Sequence, residues 1–325
     1  MSLCSETRLG LHEVLAPLGA AGRSFEVRLR QYWRAGWPRA CSLDGVTRRT
    51  RCSLHSTAPV YNAVRTASQP RFLCMNDVSQ APRPLVRLAV GVNRVVQYLS
   101  RDAFGGPRVL KLAWVINLQK GGTIPFIAVL MWWYGNTSTA AWVYLGLHGG
   151  YGLSWLVKDL AVPDRGWQQR VTFGGALLSF LLVLAPYWVL PWLLISGALG
   201  PDHPQPAPAL MAACVVLFTI GLTLMIGADA QKNAALAART GLVTTGFYAR
   251  MRHPNYLGEM LIFASFALMV RHWIPWAILG AIWTVVFMTN IAAQEVSLSR
   301  HAGWPAYIRR TGLLFPRRRR PRRGA

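Results

Sequence analysis

A chain of 325 residues with 53% hydrophobic and only 14% charged residues, the apolar ones gathered in long blocks, is neither one large soluble domain nor two ordinary ones. Its mean hydropathy of +0.27 is that of a polytopic membrane protein. The net charge of +23 does not by itself make a nucleic-acid binder, because much of it lies in residues 1–83 and in the run Arg317-Arg318-Arg319-Arg320-Pro321-Arg322-Arg323. Headgroup binding or a topology signal accounts for such a tail after so many apolar spans, and no nucleic-acid partner is expected.

Residues 1–83 show no sustained helical or strand period and are rich in Arg, Ser, Thr, Ala and Pro. They read as an organellar transit peptide or as a disordered extension, with a mis-assigned coding start as a third reading. The cysteines Cys4, Cys41, Cys52, Cys74 and Cys214 are odd in number and lack CxxC or Cys/His metal spacing. Unpaired thiols and no metal site are expected.

From Pro84 to Lys111 the pattern turns amphipathic. Leu85, Leu88, Ala89, Val92, Val95, Val96 and Leu99 recur at helical spacing between Arg87, Arg94 and Arg101, which predicts a basic membrane-surface helix over 84–112. Apolar spans are then expected at about 113–134, 139–157, 171–195, 209–228, 257–270 and 273–292. Pro186 and Pro191 predict a kink in the third. The last two, divided by Arg271-His272, read as a helical hairpin. Gly135-Asn136-Thr137-Ser138 is a glycosylation sequon too close to the bilayer to be used. Arg and Lys crowd alternate loops, so about six spans put every basic loop and both ends on the cytoplasmic side, with Arg271 a mild exception. Trp132, Trp133, Tyr134, Trp142, Tyr187, Trp188, Trp192, Trp273 and Trp276 read as interfacial belts. The expected fold is therefore all-α. N-terminal membrane helices occupy 113–208, a catalytic membrane region with a cytoplasmic-side cofactor pocket occupies 209–316, and 317–325 form the basic tail.

The polar chemistry concentrates in Tyr248-Ala249-Arg250-Met251-Arg252-His253-Pro254-Asn255-Tyr256-Leu257-Gly258-Glu259. Such density at the mouth of a membrane segment is costly without a use. Pro254 pushes His253 out of helical geometry, so that Asn255 is expected to cap a helix starting at Tyr256. Upstream, Gly241 and Gly246 bracket a short turn or hairpin. Arg252 and His253 are thereby delivered to a helix N-terminus, an anion site. Glu259, four residues after Asn255, shares its face and has Arg252 as its local partner. Gln294-Glu295 and Tyr307-Ile308-Arg309-Arg310 are expected to fold back onto this pocket. Gln119, in Leu118-Gln119-Lys120-Gly121-Gly122, reads as a helix-end polar group or as a contact for a substrate carbonyl.

Arg252-His253-Pro254-Asn255-Tyr256-Leu257-Gly258-Glu259 resembles the hallmark of the membrane superfamily that includes steroid 5-alpha-reductases, sterol reductases and isoprenylcysteine carboxyl methyltransferases. The resemblance covers about 209–316, including the ending from Glu295 through Trp304, Tyr307, Arg309-Arg310 and Pro316. The Asn-Tyr-Leu-Gly-Glu portion and Asp229-Ala230-Gln231-Lys232 are closer to the reductase branch. The resemblance implies an NADPH-dependent reductase of a carbon–carbon double bond in a lipophilic, sterol-like or enone substrate. It implies that Asp229, Asn255 and Glu259 hold the nicotinamide nucleotide, with Lys232 and Tyr248 in the same cofactor set. Arg252, His253, Tyr307 and Arg310 would lie near phosphates or adenine. Tyr256 and Glu259 are the candidates for the acid. The alternative branch is an S-adenosylmethionine-dependent isoprenylcysteine or lipid methyltransferase, with Glu295 and His253 at the cofactor. A non-catalytic membrane scaffold is the alternative from another class. The bilayer is the expected partner and the endoplasmic reticulum the expected location, or an organellar membrane if 1–83 is a transit peptide.

Overall fold

A computed structural model describes residues 84–238 and 241–317, all within the unit Asn76–Ala325. The expectations for residues 1–83, four cysteines included, and for the tail beyond Arg317 lie outside the described residues. Chain order is α1 (Pro84–Arg101), β1 (Leu110–Lys111), α2 (Leu112–Trp133), α3 (Thr139–Ala161) and β2 (Arg170–Val171). There follow α4 (Phe173–Ile195), α5 (Pro208–Ala237), a short 3-10 turn (Gly246–Tyr248), α6 (Pro254–Val270), α7 (Trp273–Leu298) and α8 (Trp304–Arg310).

Among the described residues three helices, α4, α5 and α7, are long and apolar enough to cross a membrane. α6 is apolar but has 17 residues. α2 and α3, at 22 and 23 residues, have the length, about 33 Å at 1.5 Å per residue, but interrupt their apolar sequence with polar groups. Those groups point inward: Gln119, Lys120 and Thr123 of α2 and His148 and Lys158 of α3 are all buried. The proline-rich α4 passes through a π-helical turn at Phe180–Leu184, and the α-helix resumes at Pro186. Pro186 thus sits where a missing N–H costs little.

Several boundaries differ from expectation, α7 for example running to Leu298 rather than 292. α5 continues past Ala228 to Ala237, so Asp229 and Lys232 are helical. α1 stops at Arg101 rather than running to Lys111. Phe104, Gly105 and Gly106 take positive φ of 59°, 66° and 90°, and the chain enters a two-residue antiparallel ladder, Leu110 opposite Val171 and Lys111 opposite Arg170.

α1 is also more than a surface helix. It packs on α4 and α7 through its polar side, with Asn93 Nδ2 donating to Asn290 Oδ1 (2.6 Å) and Gln97 Nε2 donating to the same oxygen (3.1 Å). Leu85, Leu88, Val95 and Tyr98 face outward. Of the residues read as belts, Trp132, Trp133, Trp142 and Trp273 are exposed, whereas Tyr187 and Trp188 turn toward other helices. Tyr187 is buried and stacked on Phe263 (3.9 Å), while Trp188 Nε1 donates to Thr123 Oγ1 and its ring stacks on Phe126. Their side of α4 faces neighbouring helices, and aromatic rings are as useful there as at an interface.

α5 and α6 are in direct backbone contact. A Cβ on Gly221 would lie 2.6 Å from the Gly258 carbonyl oxygen, and one on Gly258 would lie 2.5 Å from the Gly221 carbonyl. The two backbones touch because neither residue has a side chain. Behind α6, the segment that follows α8 folds back. Arg252 N donates to Gly312 O (3.0 Å) and His253 N to Leu313 O (3.1 Å). At the opposite end, His203 bonds Val270 O (2.8 Å) and Arg271 donates to Gln205 O (3.1 Å), which occupies the arginine that broke the charge pattern. Asn136 donates to Ile195 O (3.0 Å), and Cys214 is a buried free thiol.

Gly258→Ala is expected to cost about 1–3 kcal/mol by overpacking a backbone contact. Gly91→Ala, where a Cβ meets nothing within 4 Å, should be neutral or stabilising. Thermal unfolding of both variants in detergent checks the pair.

Candidate functional site

The site is built around the start of α6. His253 takes φ −129°, ψ 60°, outside helical space as expected, but Pro254 rather than Tyr256 is the first helical residue. Proline suits that position because its missing N–H would be unpaired there anyway. Asn255 therefore lies inside the first turn and makes no cap, which leaves its amide for the cavity beside it. Glu259, one turn on, lines the same cavity.

That cavity, of about 360 Å³, is walled by seven helices and by the loop between β2 and α3. α5 contributes Asp229 and Lys232, α6 contributes Asn255, Tyr256 and Glu259, and α7 contributes Asn290 and Gln294. α2 and α3 add Lys120, Trp155 and Lys158, α4 adds Tyr187, and α1 closes the wall with Val96, Gln97, Ser100 and Arg101. A second cavity of about 310 Å³ lies against it, lined by Tyr248, Arg252, His253, Leu298 and Tyr307. Lys232, Asn255 and Gln294 line both. Of the cofactor and acid candidates singled out in the sequence, Glu295 and Arg310 line neither.

The charges within this site are mostly paired. Lys158 forms an ion pair with Asp229, and its Nζ sits 4.5 Å and 5.0 Å from the Trp155 and Trp167 ring centroids. A buried pair of this kind holds α3 to α5. Arg252 does not partner Glu259, as expected from local spacing, but Glu295: its Nε lies 2.9 Å and 3.0 Å from the two carboxylate oxygens. Its Nη1 donates to Thr311 O (3.0 Å), and His253 Nε2 bonds Glu295 Oε1 (2.9 Å). The anion at this helix start is thus the protein's own carboxylate, brought from α7. Glu259 instead accepts from Tyr151 OH (3.2 Å). Tyr256 OH accepts from Gln294 Nε2 (3.0 Å), so its own proton remains available to the cavity.

The outer tyrosines are fixed by backbone. Tyr307 OH donates to Tyr248 O (2.8 Å), and Tyr248 OH donates to Ala228 O (3.3 Å). Burial pushes the Tyr307 hydroxyl up to about 12, and burial likewise raises Tyr248, so both remain protonated donors. Their rings, not their hydroxyls, are what the second cavity offers. Arg310 is exposed and stacks on Tyr307, its guanidinium 5.7 Å from the ring centroid. Gln119 is fully buried, with neither amide atom bonded among the described residues, and does not line the cavity.

Sequence reading missed Lys120, Tyr151, Lys158 and Tyr187 as site residues. The available signal was a lysine inside each of the first two apolar stretches, since an intramembrane charge marks a site by default. Tyr151 and Tyr187 gave no such signal.

A family model described as a protein of unknown function (DUF1295) matches residues 167–311, which hold most of this site. The chain is similar to the Delta(14)-sterol reductase TM7SF2 of Mus musculus, 23% identical over 217 residues, 61% of this chain and 44% of that protein. The match therefore spans less than half the length of that relative.

Glu295→Gln leaves Arg252 and His253 short of their shared partner. It is expected to cost about 2–3 kcal/mol, below the range for a fully buried pair because Glu295 remains 19% exposed. Arg310→Gln, at the exposed ring contact, should stay within about 0.5 kcal/mol. Chemical or thermal denaturation in detergent compares them.

Proposed function

We propose that the chain is a membrane-embedded NADPH-dependent reductase that saturates a carbon–carbon double bond in a lipophilic, sterol-like substrate. The observation that carries the reading is the convergence of Asp229, Lys232, Asn255, Tyr256 and Glu259 on one cavity, continuous in lining with a second. The similarity to a sterol reductase supports it. In this reading α2 to α7 form a six-span bundle in the endoplasmic reticulum membrane, the end of the bundle holding α6's first turn faces the cytoplasm, and α1 borders the bilayer.

The residues present fit a nicotinamide dinucleotide. Asn255, Gln294, Asp229 and Glu259 offer the amide and carboxylate set that a carboxamide requires. Lys232 has no ion pair among the described residues and stands where the two cavities meet, so it is the cation free to meet a phosphate. Arg252 supports that region rather than binding it directly, since its guanidinium is occupied by Glu295 and Thr311. Tyr248, His253 and Tyr307 provide ring surface for the rest of the nucleotide. The cofactor supplies a hydride when bound. Tyr256, its oxygen held by Gln294, supplies the proton that balances it. Glu259, itself on the cavity wall, is held by the hydroxyl of Tyr151 behind it.

Purified full-length protein is expected to gain thermal stability with NADPH and none with S-adenosylmethionine. At a hundredfold excess of ligand over Kd the gain is about 2.7 kcal/mol. Asn255→Ala and Glu259→Ala should each abolish the gain while leaving an unliganded transition. Stabilisation by S-adenosylmethionine instead would turn the assignment to the methyltransferase branch, and a response to neither would favour a non-catalytic scaffold.

A further inference from the structure

α1 carries arginines at a spacing of seven, and only the last of them is turned into the protein. Arg87 and Arg94 are exposed, whereas Arg101 is half-buried and lines the main cavity. A cation in the last turn of a helix is ordinary, because it meets the negative end of the helix dipole. Such a cation usually keeps its head in water. Arg101 instead has a buried Nε without a hydrogen-bond partner, and its side chain makes no ion pair among the described residues. Buried donors are rarely left so. The adjacent carboxylate, Asp102, is taken by Arg108, and Asp164 on the cavity wall accepts from Gly166 N (2.7 Å). The backbone that carries Arg101 is tightly held: a Cβ on Gly175 of α4 would lie 2.8 Å from Ser100 O and 2.9 Å from the Arg101 carbonyl carbon.

Asn290 supplies a second donor nearby. Its Oδ1 accepts from both Asn93 Nδ2 and Gln97 Nε2, which uses both lone pairs of that oxygen. Its Nδ2 makes no hydrogen bond among the described residues, and Asn290 lines the main cavity. Gln97, bonded to Asn290, precedes Arg101 by four residues and shares its face of α1. The guanidinium and the free amide thus stand about one helical turn apart on one wall. Neither lines the second cavity, so this pair is separate from the residues given above to the nucleotide.

We propose that Arg101 and Asn290 form a carboxylate subsite, so that the lipophilic molecule taken into the main cavity is an acid whose head is held at the α1 wall. That this acid is the substrate rests on the reductase reading above. A guanidinium fork matches the two oxygens of a carboxylate, and the amide N–H adds a third donor. One unmatched positive charge calls for a monoanion. A dianion such as a phosphate would meet repulsion from Asp164, Asp229 and Glu259, which line the same cavity. A neutral alcohol or ester would leave the Arg101 charge unanswered. The body of the acid has its own surface. The π-helical turns of α4 and α7 each turn two apolar residues into the cavity, Val183 with Leu184 and Val286 with Phe287. Arg101 stands beside the start of α4, where Thr172 N donates to Arg101 O (2.9 Å). In the topology proposed above that is the cytoplasmic edge of the bilayer, the depth at which an ionised head on an apolar body rests.

The test uses the full chain in nanodiscs of zwitterionic lipid and two probes of one skeleton, a steroid carboxylic acid and its methyl ester, at a pH where the acid is ionised. Thermal unfolding over a range of probe concentrations reports binding. Wild type is expected to bind the acid at least about tenfold more tightly than the ester, the difference typical of hydrogen bonds to a charged group. Arg101→Leu should remove that preference, while NADPH-induced stabilisation, which reports folding and the nucleotide site, persists. Arg101→Lys should keep part of the preference. Asn290→Asp still offers an oxygen to Asn93 and Gln97 but exchanges the amide donors for a negative charge. It should weaken binding of the acid and leave the response to the ester unchanged. Equal binding of acid and ester by wild type, or an undiminished preference for the acid in Arg101→Leu, would overturn the subsite. Absence of NADPH stabilisation in wild type, with the acid preference present and lost in Arg101→Leu, would overturn the reductase reading and uphold the subsite.

Discussion

The contact of Gly221 with Gly258 fixes how near α5 and α6 lie, and the position of the site follows from that spacing. With the two backbones touching, Asp229 and Lys232, two to three turns beyond Gly221, come level with the first turn of α6. Asn255 and Glu259 lie on the same side, within one turn of Gly258. A larger residue at either glycine would wedge the helices apart and widen the cavity just where its amide and carboxylate groups gather. Helix packing and site geometry are therefore a single constraint here.

The buried charges divide the remaining work. Lys158 with Asp229 ties α3 to α5 between two tryptophan rings, and Glu295 ties the start of α6 to the end of α7 through Arg252 and His253. Pairs of this kind contribute little net stability against apolar alternatives, because desolvation offsets the attraction. Their value is positional: each fixes one helix end relative to another at the mouth of the bundle. Thr311 and the backbone of Gly312 and Leu313 extend the same network into the returning tail. The second cavity consequently has a rim made of parts far apart in the chain.

Features that depend on local chemistry were legible in the sequence. Apolar block lengths gave the helices, Pro254 gave the break before α6, and spacing of four gave the shared face of Asn255 and Glu259. Features that depend on distant partners were not. Arg252 has Glu259 nearby in sequence, yet its carboxylate lies 43 residues away, and nothing in the local pattern ranks the two. The helix end predicted at Ala228 followed the loss of hydropathy at Asp229. The backbone continues because that aspartate is neutralised by a lysine from α3, information no window of sequence contains. Tyr187 resembled its interfacial neighbours in composition, and only the packing of α4 turned it inward.

α1 shows why polarity alone misplaces an element. Its period was read correctly, but an amphipathic helix is ordinarily docked by its apolar face, and this one docks by Asn93 and Gln97. The exposed Leu85, Leu88, Val95 and Tyr98 would be a liability in water. They are suited to hydrocarbon, while the polar face is suited to Asn290 and to the cavity that Gln97, Ser100 and Arg101 help to line. A helix with its polarity reversed in this way belongs where lipid lies outside and a polar chamber lies inside. The same inversion appears in α2 and α3, which carry Lys120, His148 and Lys158 inward and Leu118, Trp142 and Leu160 outward. At this end of the bundle polar residues join the aromatic interior, and the outward faces of these helices carry apolar residues.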